Sequence, residues 1–254
     1  ALIPFLWMLS TSVKTDVDVM RIPPEFIPDT VRSRNYLDAW RALPFGRFVF
    51  NTVFITFLAM AAELLAGSIV AYGFARFRFP GRNVLFIILL STMMLPGIVT
   101  LIPVFLFWRS FGLVNAFDPL VIGAVFGGRP LYVFLMRQFF AGIPKELEEA
   151  AILDGASPLQ VYRHIFLPLL KPVFLASALI SFAAHWNDFL GPLVFLNDFD
   201  RYTVTLGLHF FQGSATGELP AWNLMMAMTT LMSLPVLVLF FFFQKRFIEG
   251  TSFT

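Results

Sequence analysis

Long, unbroken apolar runs separated by short polar connections set the pattern of this chain. Five of them cover residues 48–75, 84–108, 119–140, 172–196 and 222–243. Each reaches the roughly 20 residues that a helix needs to cross hydrocarbon. The runs are continuous rather than alternating, which predicts helices and argues against a β-barrel. The opening ten residues, "ALIPFLWMLS", are apolar but about half that length. They read as the tail of a further span, which makes a six-helix bundle; the apolar region of a signal peptide is the other reading, with no basic stretch before it. Pro96, Pro103, Pro192 and Pro235 fall inside the runs, where bundle neighbours can satisfy the carbonyls that a proline frees. The expectation is an all-α integral membrane protein, one domain over residues 1–254. A polar connection rich in proline and charge occupies residues 11–47, and a second polar element occupies residues 142–171.

That second element carries the chain's densest helix punctuation, in "EEAAILDGASPLQVYRHIFLPLLKP" (residues 148–172). Pro144 suits a first helical position, where its missing N–H is no loss. Glu146, Glu148 and Glu149 suit the positive end of the helix dipole, and Ala150 and Ala151 are strong helix formers. Gly155 is expected to stop this helix in a left-handed conformation. Ser157, Pro158 and Gln160 have the spacing of a capping box with proline at the first position, so a second helix restarts there. Pro168 is expected to end it. Leu159, Tyr162, Ile165 and Phe166 then share an apolar face. Two readings follow. The helix–turn–helix either inserts these anchors into a groove on a partner or packs only on its own bundle.

Composition agrees with a membrane setting. The chain is 58% hydrophobic and 13% charged, against about 25% charged in soluble domains, and its mean hydropathy is +0.77. The formal net charge of +2 without a basic run does not fit nucleic acid. Cysteine is absent, which excludes disulfides, thiol catalysis and Cys-ligated metal. The sequence contains no G-x-x-x-x-G-K-[S/T], no HExxH, no GxSxG and no Cys/His cluster. No catalytic residue or metal ligand is expected, and energy for any transport comes from another chain or from an ion gradient. Basic residues divide nearly evenly between the two membrane faces. The concentrated cluster "ARFRFPGR" (residues 75–82) favours its own face as the inner one, and topology places residues 148–172 and the C-terminus on that face.

Polar and ionisable groups inside apolar runs mark pathways or buried pairs. Glu63, Arg129, His185, Asn187 and Asp188 qualify. Glu63 reads as half of a buried pair for which Arg129 is a possible partner, and His185 as a packing histidine. Trp186 with Asn187 and Asp188 combines an aromatic platform with polar groups suited to a hydroxyl-rich ligand. Asn187 and Asp188 serve equally well as caps or glue between helices. The methionines of "LMMAMTTLM" (residues 224–232) read as packing.

Glu149-Ala150-Ala151, three residues, Gly155, nine residues, Ile165, one residue and Leu167-Pro168 resemble the signature loop of the permease subunits of bacterial ABC importers. "LPFGRFVFNT", "AYGFARFRFPGR", "LPGIVTLIPVF", "RQFFAGIPKELEEAAILDGAS" and "HWNDFLGPLVFL" resemble the carbohydrate branch of that family, the maltose-type second permease. The resemblance implies a type I importer permease fold in the bacterial cytoplasmic membrane, with the loop and the C-terminus in the cytoplasm. It implies a non-enzymatic subunit working with a second homologous permease, two ATPase subunits that hold ATP and Mg, and an extracytoplasmic binding protein that delivers a sugar or sugar derivative. Glu149, Ala150, Ala151, Asp154, Gly155 and Ser157 are the implied ATPase-coupling positions. Trp186, Asn187, Asp188, Glu63 and Arg129 are candidates for the substrate path. The rival readings are an ion-coupled secondary transporter, for which no internal repeat is visible, a membrane enzyme and a membrane scaffold.

Overall fold

The computed structural model describes residues 2–127, 129–212 and 221–251. Every regular element among them is helical. The loop at 213–220, Gly128, residues 252–254 and the side chains of Lys245 and Arg246, on which several expectations fell, lie outside what is described.

Three helices are long and apolar enough to cross a membrane: Phe45–Arg76, Asp118–Gly142 and Trp222–Phe243. Two further crossings arise if each of two bent pairs counts as one span. The run over 84–108, expected as one helix, is broken into Arg82–Met94 and Gly97–Ser110, bent by 104°. Pro96 sits at the break with extended backbone, because its ring cannot stay inside the preceding helix. Pro103 and Pro235, by contrast, are accommodated within helices. The run over 172–196 is also shorter as a helix than its hydropathy. Lys171–Trp186 stops, and a short helix restarts over Leu190–Phe195.

The chain divides into two compact units. The first combines Ala1–Phe54 with Asn187–Phe242. Its core is Ala39, Phe45, Phe48, Val204, Phe211 and Met228. The polar 11–47 segment is tied down by Asn35, whose Nδ2 donates to the carbonyls of Ser12 (3.0 Å) and Lys14 (2.7 Å). Asn51 donates to the carbonyls of Asp200 (2.9 Å) and Tyr202 (3.0 Å), and the Thr52 hydroxyl accepts from the Val204 amide at 2.9 Å. These bonds hold the Val204–His209 helix so close to Phe48 that a Cβ on Gly207 would lie 2.4 Å from the ring. Gly207→Ala is therefore expected to destabilise the protein by about 1–3 kcal/mol through overpacking, read as a lowered unfolding temperature of the purified protein.

The second unit combines Ile55–Trp186 with Phe243–Thr254. Tyr72, Tyr132, Met136, Phe140, Phe166 and Leu170 lie at its core. Apolar side chains also remain on the outside in quantity: Ile98, Val99 and Ile102 of the Gly97–Ser110 helix are each more than 60% exposed, a pattern suited to lipid or to another membrane chain.

Candidate functional site

The polar element at 142–171 folds largely as its punctuation predicts. Helix Lys145–Leu153 follows Pro144, which takes the N-cap position one residue before the expected one. Gly155 has φ +85°. Its amide donates to the Ile152 carbonyl (3.0 Å), and the Ala156 amide donates to Ala151 (2.9 Å), the pair of bonds that closes a Schellman motif. Ser157 then opens the next helix with a complete capping box, Gln160 Oε1 accepting from the Ser157 amide at 2.7 Å.

Pro168 does not end this second helix. Residues Tyr162–Phe166 form a π-turn, and the helix runs on to Leu169 before meeting Lys171–Trp186 at a 74° bend. The wider π-turn shifts the register locally, and Pro168 falls in the first turn of the Leu167–Leu169 segment, where its missing N–H is tolerated.

The register also divides the anchors. Val161, Tyr162 and Phe166 are buried in the unit's own core. The Tyr162 hydroxyl bonds to Ser68 Oγ at 2.6 Å, and Tyr72 donates to the Pro158 carbonyl at 3.3 Å. The Tyr72 ring lies 5.2 Å from both Tyr162 and Phe166. The outward face is the turn itself, with Ile152, Leu153 (88% exposed) and Leu159 (71%) standing out among polar neighbours. Ala150 faces out and Ala151 packs inward. Glu149, Asp154, Gly155 and Ser157 are exposed, and among the described residues Glu149 enters no ion pair.

Arg76, which sequence reasoning used only as a topology marker, bolts this element to the span. It ends the Phe45–Arg76 helix with its side chain only 5% exposed. The guanidinium donates to the Phe140 (2.6 Å) and Ile143 (2.7 Å) carbonyls at the end of the Pro130–Gly142 helix. It also lies 3.6 Å from the Glu148 carboxylate and 4.6 Å from the Phe166 ring centroid. One side chain thus joins a span, the carbonyl end of a second and both halves of the helix–turn–helix. The signal that could have found it was a basic residue at a span's end facing a glutamate-rich helix.

A second cluster surrounds Glu63. Its carboxylate is 1% exposed, within 2.7 Å of His185 Nε2, 3.4 Å of Arg129 Nε and 3.3 Å of the Ser181 hydroxyl that donates to it. Tyr132, fully buried, brings its hydroxyl beside Ser181 and Arg129. Glu63 thereby cross-links the Phe45–Arg76 helix to Lys171–Trp186 and to the junction before Pro130–Gly142. Glu63 and Arg129, left unplaced by the sequence, are a pair, and His185 is satisfied by the same carboxylate. Only Arg129, half exposed, is open to a ligand.

The remaining substrate-path candidates diverge. Trp186 is buried and stacked 5.2 Å from Phe182, so the expected open platform is absent. Asn187 is exposed. Asp188 Oδ1 accepts from the Gly191 amide (3.2 Å) and its carbonyl from Thr205 Oγ1 (2.6 Å), the geometry of a helix start held to a neighbouring segment. No group of metal-binding side chains occurs among the described residues.

Residues 63–252 match the family described as "Binding-protein-dependent transport system inner membrane component". The diacetylchitobiose uptake system permease protein of Streptomyces coelicolor is 30% identical over 99% of this chain and 82% of its own length. The arabinooligosaccharides transport system permease protein of Halalkalibacterium halodurans is 32% identical over 99% and 90%. The trehalose/maltose transport system permease protein of Thermococcus litoralis is 31% identical over 99% and 90%. A crystal structure of a bacterial ABC transporter involved in the import of the acidic polysaccharide alginate contains a chain that superposes with a TM-score of 0.83 at 25% identity, over 100% of this chain and 91% of that one.

Proposed function

This chain belongs to the family of binding-protein-dependent transport system inner membrane components, and on that premise we propose that it carries a sugar or sugar derivative inward, driven by ATPase chains that dock on residues 148–172. It is a multi-pass membrane permease of an ABC importer and not an enzyme. The ion-coupled alternative draws no support from its relatives. The carbohydrate substrate is supported by relatives named for diacetylchitobiose, arabinooligosaccharide and trehalose/maltose uptake.

The working complex has this chain beside a second homologous permease, with two ATPase subunits holding ATP and Mg at the cytoplasmic face and a binding protein at the other. The coupling element and the C-terminus face the cytoplasm. One observation carries the coupling role: an exposed apolar turn, Ile152, Leu153 and Leu159, is fixed rigidly to two spans through Arg76 and Tyr162. ATPase closure pushes that turn, the Arg76 junction transmits the push, and the spans exchange outward and inward access, with the differential binding energy supplied in trans. In the carbohydrate path, Arg129 offers its half-exposed guanidinium, preset by Glu63, to hydroxyl or acidic groups of the substrate.

Gly155→Val tests the coupling role. A left-handed angle costs an L-residue roughly 1–2 kcal/mol and more for a β-branched one, so the turn must rearrange. Among the described residues no atom lies near enough to Gly155 to clash, and insertion and unfolding temperature of the spans stay near wild type. The expected result, in proteoliposomes carrying the full complex and its binding protein, is loss of most ATP-driven uptake. Uptake at the wild-type rate contradicts the coupling role.

A further inference from the structure

Arg76, Arg78 and Arg82 gather where the Phe45–Arg76 helix turns into Arg82–Ser91, and Arg137 stacks on Phe86 of that second helix. Arg76 is held through its terminal nitrogens as described above, although its buried Nε has no partner. Among the described residues no carboxylate pairs with Arg78, Arg82 or Arg137. Arg82 makes one bond, to the Phe77 carbonyl at 3.2 Å. Arg137, inside the Pro130–Gly142 helix, lies 4.1 Å from the Phe86 ring centroid, with its Nε buried and without a partner. It is near enough to Arg82 for the two charges to repel. Cations without a counter-charge at the edge of hydrocarbon are open to an anion from outside this chain.

An open pocket of about 590 Å³ lies beside two of them, lined by Arg78, Phe79, Gly81, Arg82, Asn83 and Val84. Its floor is the start of the Arg82–Ser91 helix, whose first turn has no side-chain cap. The Arg82 amide donates to the Phe79 carbonyl at 3.3 Å, and the positive helix end beyond it favours an anion, as the arginines do. Beside the pocket the surface is apolar: Val84, Leu85, Ile87 and Ile88 run down the same helix, each more than half exposed. A cationic cup continuous with an exposed apolar strip matches a molecule with an anionic head and hydrocarbon tails. A soluble phosphate or nucleotide gains nothing from that strip.

We propose that this pocket binds the phosphate headgroup of an anionic phospholipid, with the acyl chains lying along the Arg82–Ser91 helix. The lipid neutralises Arg78 and Arg82, which line the pocket beside the Arg76 junction. That makes the stiffness of the coupling end dependent on membrane composition, independently of which solute is carried.

The test uses the complete importer in nanodiscs of phosphatidylcholine alone or with phosphatidylglycerol, followed by native mass spectrometry for retained lipid and by unfolding temperature. Wild type is expected to retain phosphatidylglycerol and to unfold at higher temperature with it. Arg78→Gln with Arg82→Gln weakens retention on the order of fivefold per arginine and removes the temperature increment, while stability in phosphatidylcholine stays unchanged. Arg82→Lys, which keeps the charge, retains most of the effect. An equal phosphatidylglycerol response in wild type and the double glutamine variant overturns the proposal, because the lipid then acts elsewhere. So does an equal temperature increment from inorganic phosphate in pure phosphatidylcholine, which marks a free-anion site. Should the double variant unfold early in phosphatidylcholine, Arg78→Gln alone decides the matter, since that side chain is exposed and makes no hydrogen bond or ion pair among the described residues.

Discussion

An Arg76→Ala importer is expected to insert and assemble yet to lose at least roughly tenfold of its ATP-driven uptake, the largest functional effect we expect from one substitution. The reasoning starts from the two carbonyls that Arg76 satisfies, those of Phe140 and Ile143. Hydrogen bonds from a charged donor contribute about 1.5–3 kcal/mol each. The same side chain faces Glu148 and the Phe166 ring, so alanine removes every polar link between the span and the first coupling helix at once. What remains is the aromatic packing of Tyr72, Tyr162 and Phe166, the Ser68–Tyr162 bond and the Tyr72 bond to the Pro158 carbonyl. These hold the second coupling helix but leave the first free to tilt. ATP hydrolysis by the assembled complex should therefore persist while uptake falls, and the ratio of the two rates is the measurement. Arg76→Lys keeps the charge but cannot reach two carbonyls with a planar fork, and an intermediate ratio is expected. A wild-type ratio in Arg76→Ala would remove Arg76 from the coupling path.

For stability the largest expected loss comes from Glu63→Ala, at about 3–5 kcal/mol, the scale for breaking a buried pair and stranding its partners. Alanine leaves His185 and Ser181 without their acceptor in an apolar setting and Arg129 without its counter-charge. The readout is the unfolding temperature and membrane yield of the complex. Replacing the cluster together, Glu63→Leu with His185→Leu and Arg129→Met, should recover much of the yield, since a well-packed apolar core often matches a buried ionic one. Transport in that triple variant separates two roles. Normal uptake means the cluster is purely structural. Good yield with altered substrate affinity assigns Arg129 to the path.

Much was legible because membrane insertion and helix punctuation are local. Apolar length reports spans directly, since hydrocarbon tolerates only internally bonded backbone. The left-handed Gly155 and the Ser157–Gln160 capping box follow from residues within one turn of each other. Even the break in the 84–108 run had its signal in Pro96, which was read as tolerated when the structure has it at a 104° bend. Proline chemistry allows both outcomes, and neighbouring packing decides between them. Pro103, seven residues on, stays inside a helix.

What the sequence by itself determined is the class: a lipid-embedded helical bundle interrupted by one stiff polar element with no ATP-binding motif of its own. Tertiary structure alone decided the pairings: Glu63 with Arg129 and His185, Arg76 with the coupling helices, Trp186 turned inward against Phe182, and Arg78 and Arg82 left without a carboxylate beside an open pocket. The physical reason is range. Backbone preferences and hydropathy act over a few neighbours, but a buried charge is satisfied by whichever partner the fold brings within hydrogen-bonding distance, here from as far as 122 positions away in the chain.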